Sequence, residues 1–303
     1  MKTILLIGKN GQVGWELERA LPPLGRVIAL DRRQLDLTQP DAIRKVIRDL
    51  SPDIIINAAG YTAVDKAEVE AELAMQINAT APGIMAEEAK RINALLVHYS
   101  TDYVFDGVHS TPYVEEDEPN PVNAYGKSKL EGERAIAAVG CAHLILRTSW
   151  IYSGRGSNFV LTMLGLGRQK KALAVVDDQI GSPTWARALA ISTAELTQNA
   201  DTRDIDTGIY HLSAGGYASR LDFAKEIFRS AIELSMTEPG WAELAPTTTA
   251  NYPLPARRPL NAATNKEKVK KAFGIDMPSW ETQLRQFIEG RMADAEWRRQ
   301  AGF

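Results

Sequence analysis

A single cysteine, Cys141, occurs in 303 residues. It has no partner for an internal disulfide, and such sparing use suits a reducing compartment. No apolar run approaches the length of a membrane span. The chain opens MKTILLIGKNGQVG, where the apolar run Ile4 to Ile7 meets glycine at once, which is not the pattern of a signal peptide. A cytoplasmic location is the expectation. Long runs of lysine or arginine are missing, the formal net charge is −3, and the Arg298–Arg299 pair reads as a solvated helix end. Neither a nucleic-acid partner nor a membrane is therefore expected. No tandem repeat or low-complexity tract is visible, and no histidine, cysteine and carboxylate cluster has metal-ligand spacing. What remains is ordinary globular composition, 45% hydrophobic and 24% charged, in a chain long enough for one large or two modest domains.

Short apolar runs alternate with amphipathic stretches through the first half. TILLIG, RVIALD, DIIINAA, ALLVHYST and HLILRTSWIY read as strands buried on both faces. Gly11 to Leu21, Pro40 to Leu50, Ala67 to Arg91 (with a break at Pro82) and 126–139 read as the intervening helices. That alternation predicts a Rossmann-like, doubly wound parallel α/β sheet. The second half is less regular. Helices are expected at Phe159 to Gln169, Thr184 to Gln198, Arg220 to Leu234 and 279–298, and strands at ALAVVDD and GIYHLSA. PTTTANYPLPARRPLN reads as a polar, proline-dotted connection. The expected organisation is a nucleotide-binding domain over 1–151. A smaller C-terminal substrate-binding lobe would follow over 152–303, with some of its segments returning to the main sheet.

GKNGQVG places Gly8, Gly11 and Gly14 between the first strand and its helix. Glycine allows a tight turn and close approach of backbone to a pyrophosphate, and a helix N-terminus offers oriented N–H groups. Gln12 and Val13 lie in the same turn. A plain strand-to-helix turn would use the same residues, but three glycines at this spacing favour a dinucleotide. Asp31 ends the second strand and can accept hydrogen bonds from ribose hydroxyls, whereas Arg32 and Arg33 can pair with a 2′-phosphate, so NADH and NADPH both stay open. Asp36 and Leu37 can flank the adenine. At the end of the third strand, Ala59, Gly60 and Tyr61 sit where ligand crevices of open α/β sheets lie.

NAYGKSK sets Tyr125 four residues before Lys129. On a helix these share a face, and an ammonium beside a phenol lowers its pKa, which would make an acid–base pair. The same spacing arises by chance in long chains. His98, in the middle of a strand, reads as a satisfied core histidine rather than a base.

Taken in order, GKNGQVG, NAA, HYSTDYVFDG and YGKSK resemble the extended short-chain dehydrogenase/reductase family. NAAGYTAVDKAE, LRTSWIY, DDQIGSPT and the RRP segment extend the likeness, nearly end to end, to its reductases of keto-sugar nucleotides. The resemblance implies NAD(P)H-dependent reduction of the C4 keto group of a dTDP-linked 4-dehydro-6-deoxy-L-mannose, supplying dTDP-L-rhamnose for cell-surface polysaccharide. By the same resemblance, Tyr125 is the general acid, Lys129 holds the nicotinamide ribose and depresses the Tyr125 pKa, and Thr101 bonds the keto oxygen. Tyr99 lines the nicotinamide side. Asp102, Tyr103 and Trp150 face the sugar, Asn158 and Arg258 reach the nucleotide, and Asn78 supports the active-site backbone.

Related dehydratases carry Asp-Glu after the threonine, where this chain has Asp102–Tyr103. Epimerase-reductases use a cysteine and histidine near the sugar, but Cys141 precedes its strand, at the far end of the sheet. A different class, the non-catalytic regulatory beta subunit of methionine adenosyltransferase, also resembles these enzymes. Retention of the threonine, tyrosine and lysine argues for catalysis instead. Some family members are described as magnesium-dependent, with acidic residues bridging a dimer. Glu16 is present here, but WARALAIS lacks carboxylates, so no protein site for magnesium is evident. Monomer and homodimer both remain open.

Overall fold

The computed structural model describes residues 1–199, 207–235 and 240–294. Its first half runs β1 (Lys2–Ile7), α1 (Gln12–Ala20), β2 (Gly25–Leu30), α2 (Pro40–Leu50), β3 (Ile54–Asn57), α3 (Val64–Ala67), α4 (Ala71–Met75), α5 (Ala81–Ile92), β4 (Leu95–Thr101), α6 (Ala124–Val139) and β5 (His143–Thr148). Then come β6 (Ile151–Tyr152), α7 (Phe159–Gln169), β7 (Ala172–Val176), β8 (Ile180–Gly181), β9 (Thr184–Trp185), α8 (Ala186–Asn199), β10 (Gly208–His211), β11 (Ala218–Ser219) and α9 (Arg220–Ser235). β12 (Glu243–Thr247), α10 (Glu267–Phe273) and α11 (Trp280–Met292) complete the described elements.

Six parallel strands form the central sheet in the order β10-β5-β4-β3-β1-β2. The order reverses between β1 and β3, which opens a crevice at their carboxyl ends. Alternation along β1 explains the two layers of core. Ile4 and Leu6 pack on one face with Leu17 of α1 and Leu189 of α8. Leu5 and Ile7 pack on the other with Ile43 and Ile47 of α2 and Met85 of α5. A further core, around Tyr152, Phe223, Phe228 and Phe287, joins α7, α9 and α11. β7 and β12 pair beside it, and β10 leaves that half of the chain to close the edge of the main sheet on β5.

The helical stretch over 67–91 departs from expectation. It does not break at Pro82; it loosens into a π turn at Gln76–Thr80, while the interruption falls at 68–70. Proline has no N–H to give the carbonyl four residues back, that of Asn78, so the ladder widens before it. HLILRTSWIY is also not one strand. Trp150 sits at φ 44°, a left-handed turn that takes the chain out of the sheet after Thr148. The final helix is described over Trp280–Met292 and has ended by 293–294, and 295–298 of its expected span, like Arg299 beyond it, lie outside the described residues.

α6 carries the tyrosine and lysine, and local chemistry fixes both its ends. Asn123 accepts the Gly126 N–H at 2.8 Å as N-cap, and Gly140 closes it at φ 67°. Midway, Gly132 lies against the π turn, where a Cβ would come within 2.0 Å of the Asn78 carbonyl oxygen. Gly132→Ala is accordingly expected to cost about 1–3 kcal/mol by forcing the helix off that turn. Urea denaturation would measure it, and an unchanged midpoint would show that the contact relaxes freely.

Candidate active site

The crevice at the carboxyl ends of β1, β3 and β4 is a cleft of about 1000 Å³. Every residue expected on the cofactor side lines it, namely Gly8, Gly11, Gln12, Val13, Asp31 and Asp36, then Leu37, Ala59, Gly60, Tyr61 and Tyr99, with Tyr125 and Lys129. Gly8 has φ 94°, and a Cβ there would stand 2.7 Å from the Ala59 nitrogen. Gly14 is also obligatory, since its Cβ would meet the Gly8 oxygen at 2.1 Å. The bare turn leaves the first amides of α1 open to the cleft, a cradle that fits a pyrophosphate.

At the far end, Asp31 accepts from the backbone N–H of Arg33 (2.9 Å) and Gln34 (3.2 Å) and from Asn10 Nδ2 (3.1 Å). Desolvation opposes ionisation, but these bonds hold its carboxyl below the ordinary value. Arg32 lines the same end of the cleft, so a carboxylate for ribose hydroxyls and a guanidinium for a phosphate stand together.

Asn78 braces the wall from behind. It accepts the Tyr61 N–H at 2.8 Å and donates to the Tyr61 carbonyl and the Ser128 hydroxyl, both at 2.9 Å. The Tyr99 hydroxyl points away from the cleft to Thr193 at 2.6 Å, so only its ring faces a ligand.

Thr101, Asp102, Tyr103 and Trp150 also line the cleft. Thr101 ends β4, accepts the Tyr103 N–H at 3.2 Å and donates to Asp102 Oδ1 at 3.0 Å. Ser149 donates to the other Asp102 oxygen at 2.6 Å. Tyr125 lies beside the Thr101 side chain, and its ring meets Tyr103 edge-on at 5.8 Å. Burial raises the Tyr125 pKa above the usual value, and the neighbouring Thr101 side chain only partly opposes this. That differs from the expected depression by Lys129. The amine bonds to β4 instead, through His98 and the Tyr99 carbonyl, and the phenol stays neutral. Burial pulls the lysine's own pKa down, with Glu133 opposing.

Two residues expected to contact substrate are otherwise engaged. Asn158 caps α7, accepting the Leu161 N–H at 3.1 Å, and donates to the Ser153 carbonyl and to Gln12 Oε1. Arg258 forms a two-pronged pair with Asp65 at 2.7 and 2.8 Å. Neither is among the residues lining the cleft.

The structure adds Arg220, whose guanidinium lies 3.5 Å from the centre of the Trp150 ring and which lines the cleft beside Asp102 and Tyr103. A sign existed in the sequence: a cation opening a helix opposes the helix dipole and asks for another reason to be there.

Glu16 is nearly buried and accepts from Arg187 Nε at 3.2 Å, so a guanidinium already balances its charge. That donor set does not suit magnesium. Among the described residues no group of three or more His, Cys, Asp or Glu could hold a metal ion.

A glycine cradle at the switch point, with a tyrosine and a threonine side by side in the same cleft, defines an oxidoreductase of the short-chain, nicotinamide-dependent class. Residues 1–292 match the family described as RmlD substrate binding domain, and the chain belongs to it. It is 45% identical over 286 residues to the dTDP-4-dehydrorhamnose reductase of Burkholderia thailandensis, covering 91% of this chain and 95% of that one. It is 44% identical over 293 residues to that of Escherichia coli K12, covering 94% and 96%. Among solved structures it resembles dTDP-4-dehydrorhamnose reductase from Bacillus anthracis in complex with NADP (TM-score 0.86, 34% identity, covering 94% and 98%). The same is true of a Clostridium acetobutylicum dTDP-4-dehydrorhamnose reductase (TM-score 0.87, 38% identity, covering 95% and 98%).

Asp102 should leave a signature in stability. Burial raises its pKa from 3.8 to about 6, against the bonds from Ser149 and Thr101. A raised folded-state value favours folding below pH 3.8, and that contribution is lost as pH rises through about 6. Asp102→Asn is therefore expected to exceed wild type at pH 8 by on the order of 1–3 kcal/mol, with the gap closing by pH 4. Chemical denaturation at the two pH values checks it, and an equal difference at both would refute the assignment.

Proposed function

We propose that the chain reduces the C4 keto group of dTDP-4-dehydro-6-deoxy-L-mannose (dTDP-4-dehydrorhamnose) to dTDP-L-rhamnose, with NADPH or NADH. This would be the last step in making that sugar nucleotide for cell-surface polysaccharide. One observation carries the reading: Tyr125, kept neutral by burial, lies beside Thr101 in the dry part of a cleft whose other end is the glycine cradle.

Gly8, Gly11, Gln12 and Val13 would hold the pyrophosphate, Asp31, Asp36 and Leu37 the adenosine end, and Ala59, Gly60, Tyr61, Tyr99 and Lys129 the nicotinamide half. A dinucleotide held there would supply a hydride for C4. Charge then develops on the carbonyl oxygen. Tyr125 offers a donor where it develops, Thr101 can turn its one hydroxyl hydrogen there from Asp102, and the Tyr125 hydroxyl gives up its proton to complete the alcohol. A neutral phenol is the form that task requires. Asp102, Tyr103 and Trp150 would face the sugar, and Arg220 adds a cation on the same wall. Asn158 and Arg258 act as supports, through Gln12 and Asp65, rather than as contacts. The lobe beyond Tyr152 supplies the substrate-side wall. Cytoplasmic residence agrees with the absence, among the described residues, of any helix long and apolar enough to cross a membrane.

The test is oxidation of NADPH and NADH by purified protein with dTDP-4-keto-6-deoxyglucose and a 3,5-epimerase. Wild type should oxidise cofactor only when the epimerase is present. Tyr125→Phe should lose about 10²- to 10⁴-fold in kcat with cofactor binding retained. Silence with both cofactors, or full turnover by the variant, would overturn the reading.

A further inference from the structure

Lys129 has two partners, and neither is the phenol four residues before it. Its Nζ donates to the Tyr99 carbonyl at 2.5 Å and lies 3.1 Å from His98 Nε2. His98 is 1% exposed, and its other ring nitrogen, Nδ1, lies 3.1 Å from Asn57 Nδ2. The Asn57 oxygen accepts the Ala59 N–H, also at 3.1 Å. A chain of contacts thus runs from the cofactor turn at the end of β3, through the core, to the lysine on α6.

One member of that chain cannot change its role. A backbone N–H only donates. Asn57 must therefore turn its oxygen to Ala59 and its NH₂ group to His98. An NH₂ group offers no acceptor, so Nδ1 has to be the bare ring nitrogen and the proton sits on Nε2. The Nε2–H then points at Lys129. An ammonium has three donors and no lone pair, and two donors facing each other in the dry interior would both go unsatisfied. A neutral amine has the lone pair that completes the chain.

We infer that His98 is a positioning residue that holds Lys129 as a neutral amine in the cofactor-free enzyme, so that Tyr125 keeps its proton. The other two buried histidines give the opposite outcome by the same rule. Nδ1 of His143 lies 2.9 Å from the Cys141 carbonyl, and Nδ1 of His211 lies 3.0 Å from the Asn265 carbonyl. A carbonyl only accepts, so both carry their proton on Nδ1.

The groups around Lys129 agree. On α6 Glu133 acts on its charge and Tyr125 precedes it by one turn, while from β4 it is faced by His98 and the Tyr99 carbonyl, and from β3 by Asn57 behind His98. Glu133 is the one carboxylate in this set. It accepts from Arg147 at 2.7 and 3.0 Å and from the Ser100 hydroxyl at 2.5 Å, which leaves little of its charge to stabilise an ammonium. The consequence for catalysis rests on the reductase reading above; the protonation pattern does not.

The experiment is long-range ¹H–¹⁵N spectroscopy on the full chain labelled with ¹⁵N-histidine, without cofactor. The chain has 4 histidines, and His98 is assigned by its loss in His98→Gln. His98 should carry its proton on Nε2, with His143 and His211 on Nδ1. A proton on Nδ1 of His98, or on both its nitrogens, would overturn the inference. No substrate is involved, so this outcome is independent of whether the reductase assay succeeds. A second arm follows kcat/KM against pH. The side-chain carbonyl that His98→Gln introduces can accept from an ammonium, so Lys129 becomes charged beside Tyr125. The alkaline limb, where the phenol loses its proton, should then move to lower pH by about one unit or more. A loss of rate at all pH values with the limb unmoved would indicate a purely structural histidine and reject the proposal.

Discussion

Glu133 and Arg147 are each 2% exposed and paired through two hydrogen bonds, at 2.7 and 3.0 Å. The rest of the site depends on this contact. It ties α6, one turn beyond Lys129, to β5, while the Ser100 hydroxyl ties the same carboxylate to β4. Two charges taken out of water gain little stability overall, but they tolerate few alternative arrangements. The helix bearing the tyrosine and lysine is thereby held at a set height over the strand bearing the threonine. The Gly132 contact with the π turn fixes its distance from the other side. Placement of Tyr125 against Thr101 follows from these buried contacts, not from anything the two residues do for each other.

The cleft has a graded chemistry. At the β2 end it presents a carboxylate, a guanidinium and open amides, all near solvent. At the β4 end it presents hydroxyls and a carboxyl whose burial disfavours charge. A ligand charged at one end and reactive at the other meets water-like surroundings for its phosphates and a dry pocket for its carbonyl. Hydrogen bonds made in that dry part are stronger than in water, because the effective dielectric there is low.

Much of this could be read in the sequence, because much of it is local. TILLIG, the glycines after it and the Y-x-x-x-K spacing depend on neighbours a few residues away, and all three lie where the periodicity and turn chemistry placed them. Contacts across long stretches of chain could not be read. Arg258 meets Asp65 across 193 positions, and Lys129 meets His98 across 31. In the sequence both cations read as free to serve a ligand, and both are engaged by side chains from other elements. The turn at Trp150 was missed for a related reason. LRTSWIY has no glycine or proline to mark a left-handed residue, and the indole holds that conformation while stacked by Arg220 from a later helix.

The sheet is also completed out of order. β5 reads HLILRT and is buried along its whole length, yet its outer neighbour is β10, drawn from Gly208–His211. During synthesis β5 emerges long before that partner. At ~5–20 residues per second the intervening stretch, 149–207, takes on the order of 3–12 s to translate. For that time a greasy strand edge stands open on the ribosome, and such an edge recruits other strands. The length of that window is set by where β10 lies in the chain.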